Sequence, residues 1–171
     1  MSLMPKKSIN KLFIKDIVLA GNDGLITTFA IVAGSMGASF STATVIVLGF
    51  ANLFADGLSM STGTYLGTKS EEFSKNPENC GTLPLKAGLV SFAAFSIAGL
   101  FPLIPFIFSL PQPFLLSGIL VFLSLSVIGV FRGIVSKQNI LRTTLENLLI
   151  GGLATTVAFL VGGILEGYLE G

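Results

Sequence analysis

Residues 19–34 read LAGNDGLITTFAIVAG, with an acid, Asp23, flanked by Gly21, Asn22 and Gly24 near the front of a long uncharged run. Buried in lipid, that charge costs about 2.5–3.5 kcal/mol on insertion scales. The composition places it there. Of 171 residues, 51% are hydrophobic and 11% charged, whereas a soluble domain carries about 25% charged residues. Mean hydropathy is +0.85, and the chain has 20 Gly, no His and no Trp. These values describe an integral membrane protein, in which the cost of Asp23 has to be offset.

A membrane-crossing helix needs about 20 mostly apolar residues. Five segments qualify, at about 17–38, 42–68, 84–108, 113–136 and 143–168. The expected fold is all-α, with five transmembrane helices. The second segment is long enough to tilt or to protrude beyond the bilayer. Uncharged breaks, ASFST and SLPQPF, separate the first pair of spans and the third from the fourth. The basic residues set the orientation. Lys6, Lys7, Lys11 and Lys15 precede the first span. Lys69, Lys75 and Lys86 lie in or beside the second connection, and Arg132, Lys137 and Arg142 surround the fourth. An N-inside arrangement puts all ten on the cytoplasmic side, as the positive-inside rule requires, and leaves the C-terminus, with Glu166 and Glu170, on the opposite side. The chain divides into a cytoplasmic amphipathic segment, 1–15, and a transmembrane domain, 16–171. Within the former, KSINKLFIKD (7–16) alternates Lys with apolar residues at helical spacing and reads as a short interfacial helix on anionic lipid. No apolar core leads to a cleavage site, so no cleaved signal peptide is expected. With a net charge of +1, nothing points to nucleic acid. The single cysteine, Cys80, allows no internal disulfide and, without a second Cys or any His, makes a poor metal site.

Two spans carry polar residues in patterns. Asp23 lies about seven residues, roughly 10 Å, beyond the cytoplasmic edge of the first helix near Asp16. On the second span Asn52, Asp56 and Met60 recur at i, i+4 and i+8 and share one face. Met60 lies about eight residues, roughly 12 Å, from the inner end at Thr68, which predicts similar depths for Asp23 and Met60. Neither span contains Lys or Arg, so no ion pair within these two helices neutralises the acids, and intramembrane acids of this kind mark ion pathways. Each residue also has a structural reading: packing for Met60, helix–helix hydrogen bonding for Asn52 and pairing with a polar neighbour for Asp56. Carboxylate and amide oxygens with a thioether favour borderline divalent ions such as Fe²⁺ over Mg²⁺ or Ca²⁺. One chain supplies too few ligands for a full shell, and a two-fold dimer supplies each ligand twice. Gly34, Gly37, Gly63 and Gly67 are candidates for the close helix approach of such an interface.

At these residues the chain resembles the vacuolar iron transporter family. The resemblance covers about 16–171 and rests on DIVLAGNDGLITTFAIVAG, FADGLSMSTGTYLGTKSEEF and LENLLIGGLATTVAFLVGGILEG. The joint pattern of DG on the first helix and SMxxGxYLxxKSE on the second is its most specific part. It implies a five-helix homodimer with the path between subunits, exporting Fe²⁺, and often Mn²⁺, from the cytosol against protons. By position, Asp23 and Met60 match the family's pathway carboxylate and methionine, and Asp16 matches an acid at the cytoplasmic mouth. This chain departs from the family in two respects. Asn52 stands where iron-transporting members can carry a glutamate, while Asp56 adds an acid one turn further along. The connection 69–83, KSEEFSKNPENCGTL, is too short for the Glu-rich metal-collecting domain of many members and is similar to the shorter nodulin-like branch. Glu71 and Glu72 read as a solvated loop face or as cation attractors.

Glu146 is expected in the first turn of the fifth helix, complementing the helix dipole, with a vestibule role as the alternative. The metal is expected as substrate, with no cofactor. The absence of His and of any Ser/Lys or paired-Asp signature argues against hydrolytic chemistry. The expected localisation is multi-pass, in the plasma (inner) membrane of a prokaryote or in a vacuolar or other organelle membrane of a eukaryote. The competing reading is a non-transporting membrane subunit whose intramembrane polar residues serve helix assembly.

Overall fold

The structure, a computed structural model, describes residues 6–75 and 81–169, apart from the side chains of 6–12 and 75. Cys80 and Glu170 lie outside the described residues. Six helices follow in order: α1 (Lys6–Gly37), α2 (Thr42–Lys75), α3 (Leu83–Leu100), the short α4 (Ile104–Ile107), α5 (Pro113–Ser136) and α6 (Ile140–Leu169). A 3-10 turn, Phe101–Leu103, joins α3 to α4, so the pair acts as one crossing. Five spans result: Phe13–Gly37, Thr42–Ser74, Leu83–Ile107, Pro113–Ser136 and Ile140–Leu169. Apolar side chains make up most of the outer surface of these helices, as lipid requires. Val127, Leu153 and Leu149 are each about two-thirds exposed on the outer surface.

Local chemistry explains the breaks. Pro102 and Pro105 lack the N–H that a continuous α-helix would use, and the chain tightens to a 3-10 turn there. Pro113 opens α5 at a position where its missing N–H costs nothing. Lys137 ends α5 in the left-handed region (φ 53°), and Gln138 N–H donates back to the Gly133 carbonyl at 3.0 Å. The segment 7–16 does not form an element of its own. It runs without a break into the first span, because no Pro lies between Lys6 and Gly37, no Gly precedes Gly21, and isolated glycines such as Gly21, Gly24 and Gly34 are tolerated inside a helix.

α1 is central and packs against α2, α3, α5 and α6. Phe95, Phe106, Leu25 and Leu103 are almost fully buried at its flank. Along α6, Gly34 and Gly37 of α1 lie against the backbone of Ala158, Phe159 and Gly163. These two glycines therefore serve packing inside the protomer and not an interface between copies: a Cβ at Gly37 would meet the Phe159 carbonyl. Gly63 and Gly67 of α2 face open space instead. Phe29, Phe114 and Phe159 stack in sequence across α1, α5 and α6, with ring centroids 6.1 and 6.4 Å apart.

Candidate functional site in the α1–α2 cleft

Spacings of four, three and four residues put Asp16, Ala20, Asp23 and Thr27 on one face of α1. The facing stripe of α2 is Asn52, Asp56 and Met60. The helices run antiparallel, and one polar contact fixes their register. Asn52 Nδ2 lies 3.5 Å from Thr27 Oγ1 and 3.4 Å from Thr28 Oγ1, long for hydrogen bonds. Thr27 Oγ1 in turn donates to the Asp23 carbonyl at 2.9 Å.

One turn along from Asn52 and Thr27, Asp56 and Asp23 come to the same level on the facing stripes of the two helices. Both are half-buried, and among the described residues neither joins an ion pair. Two acids on facing stripes of an apolar bundle, without an ion-pair partner among the described residues, form the site's central feature, because a bound cation or proton would relieve that arrangement.

Met60 falls one turn beyond Asp56, partly buried and packed on the core cluster. It is therefore about 6 Å of helix rise from the level of Asp23, not level with it. Counting depth inward from the ends of the apolar runs misplaces it, because both helices extend past those ends, α1 back to Lys6 and α2 on to Lys75. Asp16 lies on the same face two turns from Asp23. It is 9% exposed, and its Oδ2 has no hydrogen-bond partner among the described residues. Among those residues, no three Cys, Asp or Glu side chains gather into a metal cluster. One chain thus brings together fewer metal-ligating side chains than a full coordination shell needs.

Two features were not anticipated. Glu146 belongs to the second turn of α6, since the helix begins at Ile140, and it binds cations of its own chain. Arg132 Nη2 donates to it at 3.2 Å and Arg142 Nε at 3.0 Å, while Arg132 Nη1 reaches Asn147 Oδ1 at 3.1 Å. This replaces the helix-dipole reading. The second is Ser91 of α3, 1% exposed, whose hydroxyl has no partner among the described residues. Serine barely lowers the hydropathy of an apolar run, so no sequence signal marks it.

Five helices long and apolar enough to cross a membrane define a multi-pass membrane protein. The VIT family model matches residues 14–78 and 71–163, and the chain belongs to that family. It is similar to the vacuolar iron transporter of Toxoplasma gondii, with 28% identity over 225 aligned positions that take in 90% of this chain and 74% of the relative. The vacuolar iron transporter of Centaurea cyanus shares 23% identity across 85% of each chain. A shorter match of 59 residues, 34% of this chain and 24% of the relative, is 42% identical to vacuolar iron transporter 1 of Arabidopsis thaliana. Membership in a family whose relatives are named as iron transporters makes metal transport the function class of this chain.

Proposed function

We propose that this protein exports Fe²⁺, Mn²⁺ or both from the cytosol in exchange for protons, along a path between two copies of the chain. The observation that supports this reading most is the pair Asp23 and Asp56, at one level on facing stripes of an apolar bundle and without an ion-pair partner among the described residues. Metal binds the deprotonated carboxylate, so loading releases protons, and unloading on the far side takes them up. Exchange follows when both ions compete for the same oxygens. Asn52 supplies an amide oxygen beside the pair and Met60 a soft sulfur one turn away, a mixture that suits borderline divalent ions. Asp16 is the next carboxylate toward the basic end of the bundle, and the clustering of Lys and Arg there supports a cytoplasmic assignment of that end.

The partial shell is the argument for two copies. Ser59, Thr62, Gly63 and Gly67 leave a small and polar strip of α2 uncovered by the rest of the chain, where lipid alone would favour bulky apolar side chains. A second copy across this strip brings a second cleft into reach and completes the coordination. The 225 aligned positions of the Toxoplasma gondii relative exceed the 171 residues of this chain. The two parts of the family match meet at the α2–α3 connection. Both facts support a transporter that works without a metal-collecting domain at that place.

Uptake of Fe²⁺, Mn²⁺, Co²⁺ and Zn²⁺ in competition, into proteoliposomes with and without an opposing proton gradient, tests the proposal. Saturable uptake of Fe²⁺ or Mn²⁺ that the gradient accelerates is the expected result. Gradient-independent uptake would remove the antiport step, and no uptake at all would favour the assembly-subunit reading.

A further inference from the structure

The spanning helices alternate in direction, so Lys15, Lys69, Lys86, Arg132, Lys137 and Arg142 all fall at one end of the bundle. They are not spread evenly there. Residues 126–149, which carry the α5–α6 turn, contain three of these cations and a single acid, Glu146, so two positive charges stay uncompensated. The turn itself is only residues 137–139. Lys137 therefore stands five residues beyond Arg132 and five before Arg142.

Glu146 gathers this charge into one place. Its Oε2 accepts from Arg132 Nη2 and its Oε1 from Arg142 Nε, so one carboxylate holds both guanidinium groups. Arg132 is tied down further by Asn147 Oδ1. The Arg142 side chain is 80% exposed, and neither of its terminal nitrogens has a hydrogen-bond partner among the described residues. Lys137 is exposed and joins no ion pair among them. Lys69, at the same end, instead lies over the Tyr65 ring, 5.6 Å from its centroid. A fixed guanidinium with unused donors, near a free ammonium, suits the oxygens of a phosphate.

Away from the turn the surface of the same two helices is apolar. Val127 and Ile134, seven residues apart on α5, share a face, as do Leu141 and Leu145 on α6, and each is about half exposed or more. In a bilayer such side chains meet acyl chains, so charge and hydrocarbon follow here in the order in which a phospholipid presents them. We infer that the α5–α6 turn binds the headgroup of an anionic phospholipid, with its phosphate on Arg142 and Lys137 and its acyl chains along these stripes. A zwitterionic lipid fits less well. Its ammonium adds to a charge already in excess, and Glu146, the acid that would receive it, has both oxygens engaged. Free phosphate matches the cations but gains nothing from the apolar stripes. This docking does not depend on the transport reading.

Native mass spectrometry of the delipidated full chain in detergent, titrated with phosphatidylglycerol, phosphatidylcholine or inorganic phosphate, tests the assignment through the affinity of the first bound molecule. The wild type is compared with Lys137→Asn/Arg142→Gln and with Lys69→Gln/Lys86→Gln, which removes the same charge elsewhere at the same end. Asparagine accepts the left-handed backbone of Lys137. The wild type should prefer phosphatidylglycerol to phosphatidylcholine. The turn variant should bind phosphatidylglycerol about five- to twenty-fivefold more weakly, since each basic side chain near an anionic surface contributes about a factor of five. The Lys69/Lys86 variant should stay near wild type. An equal loss in that variant would mean diffuse charge and no site at the turn, and would overturn the assignment, as would equal affinity for the two lipids. Inorganic phosphate bound as tightly as phosphatidylglycerol would overturn the lipid as occupant. If the double turn variant is not recovered folded, Arg142→Gln alone decides, with about a fivefold loss expected and an unchanged affinity contradicting the site.

Discussion

Where α5 meets α6, Glu146 is gripped by Arg132 and Arg142, Arg132 also reaches Asn147, and the Thr143 hydroxyl donates to the Gly129 carbonyl at 2.9 Å. Between α1 and α2, Asp23 and Asp56 stand at one level without an ion-pair partner among the described residues, and Asp16 and Ser91 each bury an oxygen that has no partner among them. Both regions place acids and hydroxyls on membrane-crossing helices. A region whose charged groups pair with one another stabilises the bundle, even though Asn147 Nδ2 there has no partner among the described residues. A region whose acids lack a counter-charge leaves each such buried group at a cost of about 1–3 kcal/mol or more, which the proposed transport reading assigns to a passing cation. The seam of α1 with α6, closed through Gly34, Gly37 and Gly162, makes that arrangement tolerable by fixing α1 from the opposite side.

The largest effect is expected from breaking the stabilising side of this contrast. Gly37→Leu forces a side chain into the Phe159 backbone, where neither helix can yield. Overpacking of this kind costs about 1–3 kcal/mol or more, and detergent-solubilised variant should fail to elute as a single folded species on size exclusion. A normal elution profile would show that the seam does not hold α1.

A smaller effect, on transport and not on folding, is expected inside the cleft. Asp56→Asn removes one of the two facing charges and should slow uptake while flattening its pH dependence. Asn52→Glu in the same background returns an acid one turn away, beside Thr27 and Thr28, and should restore part of the rate. Unchanged pH dependence in Asp56→Asn would take Asp56 out of proton exchange.

Met60→Leu should give the smallest change. It conserves volume and apolarity, so stability should move by less than about 1.5 kcal/mol. Its packing on the core cluster makes this the sharpest separation of lining from ligand. Loss of the thioether should lower the Fe²⁺/Mn²⁺ uptake ratio, because Mn²⁺ depends more on oxygen. A constant ratio at matched protein density would leave selectivity to the carboxylates and the size of the cleft.

The five crossings were legible in the sequence because lipid imposes a one-dimensional requirement, a sustained apolar run. The acids were legible for the converse reason, since a charge inside such a run has few purposes. Relations between helices were not legible. Nothing in residues 17–38 or 42–68 states that Asn52 meets Thr27, and that contact, not depth from the membrane edge, brings Asp56 opposite Asp23 and moves Met60 a turn away. The glycines show the same limit: Gly34, Gly37, Gly63 and Gly67 look alike in sequence, yet the first two close an internal seam and the last two face outward. Glu146 was misread because α6 starts at Ile140, three residues before the apolar run begins, and its partner Arg132 lies on another helix.

The contrast between the two regions comes to one side-by-side measurement: initial Fe²⁺ uptake by Asp23→Asn and by Glu146→Gln, in proteoliposomes of equal protein content. Each substitution removes one negative charge and keeps the shape of the side chain. Uptake should vanish in Asp23→Asn, because the cleft loses the carboxylate that holds the ion. It should persist near the wild-type rate in Glu146→Gln, where the partly exposed pairs are worth about 0.2–1 kcal/mol each. Wild-type uptake by Asp23→Asn, or its loss in a folded Glu146→Gln protein, would contradict the assignment of transport to the α1–α2 cleft.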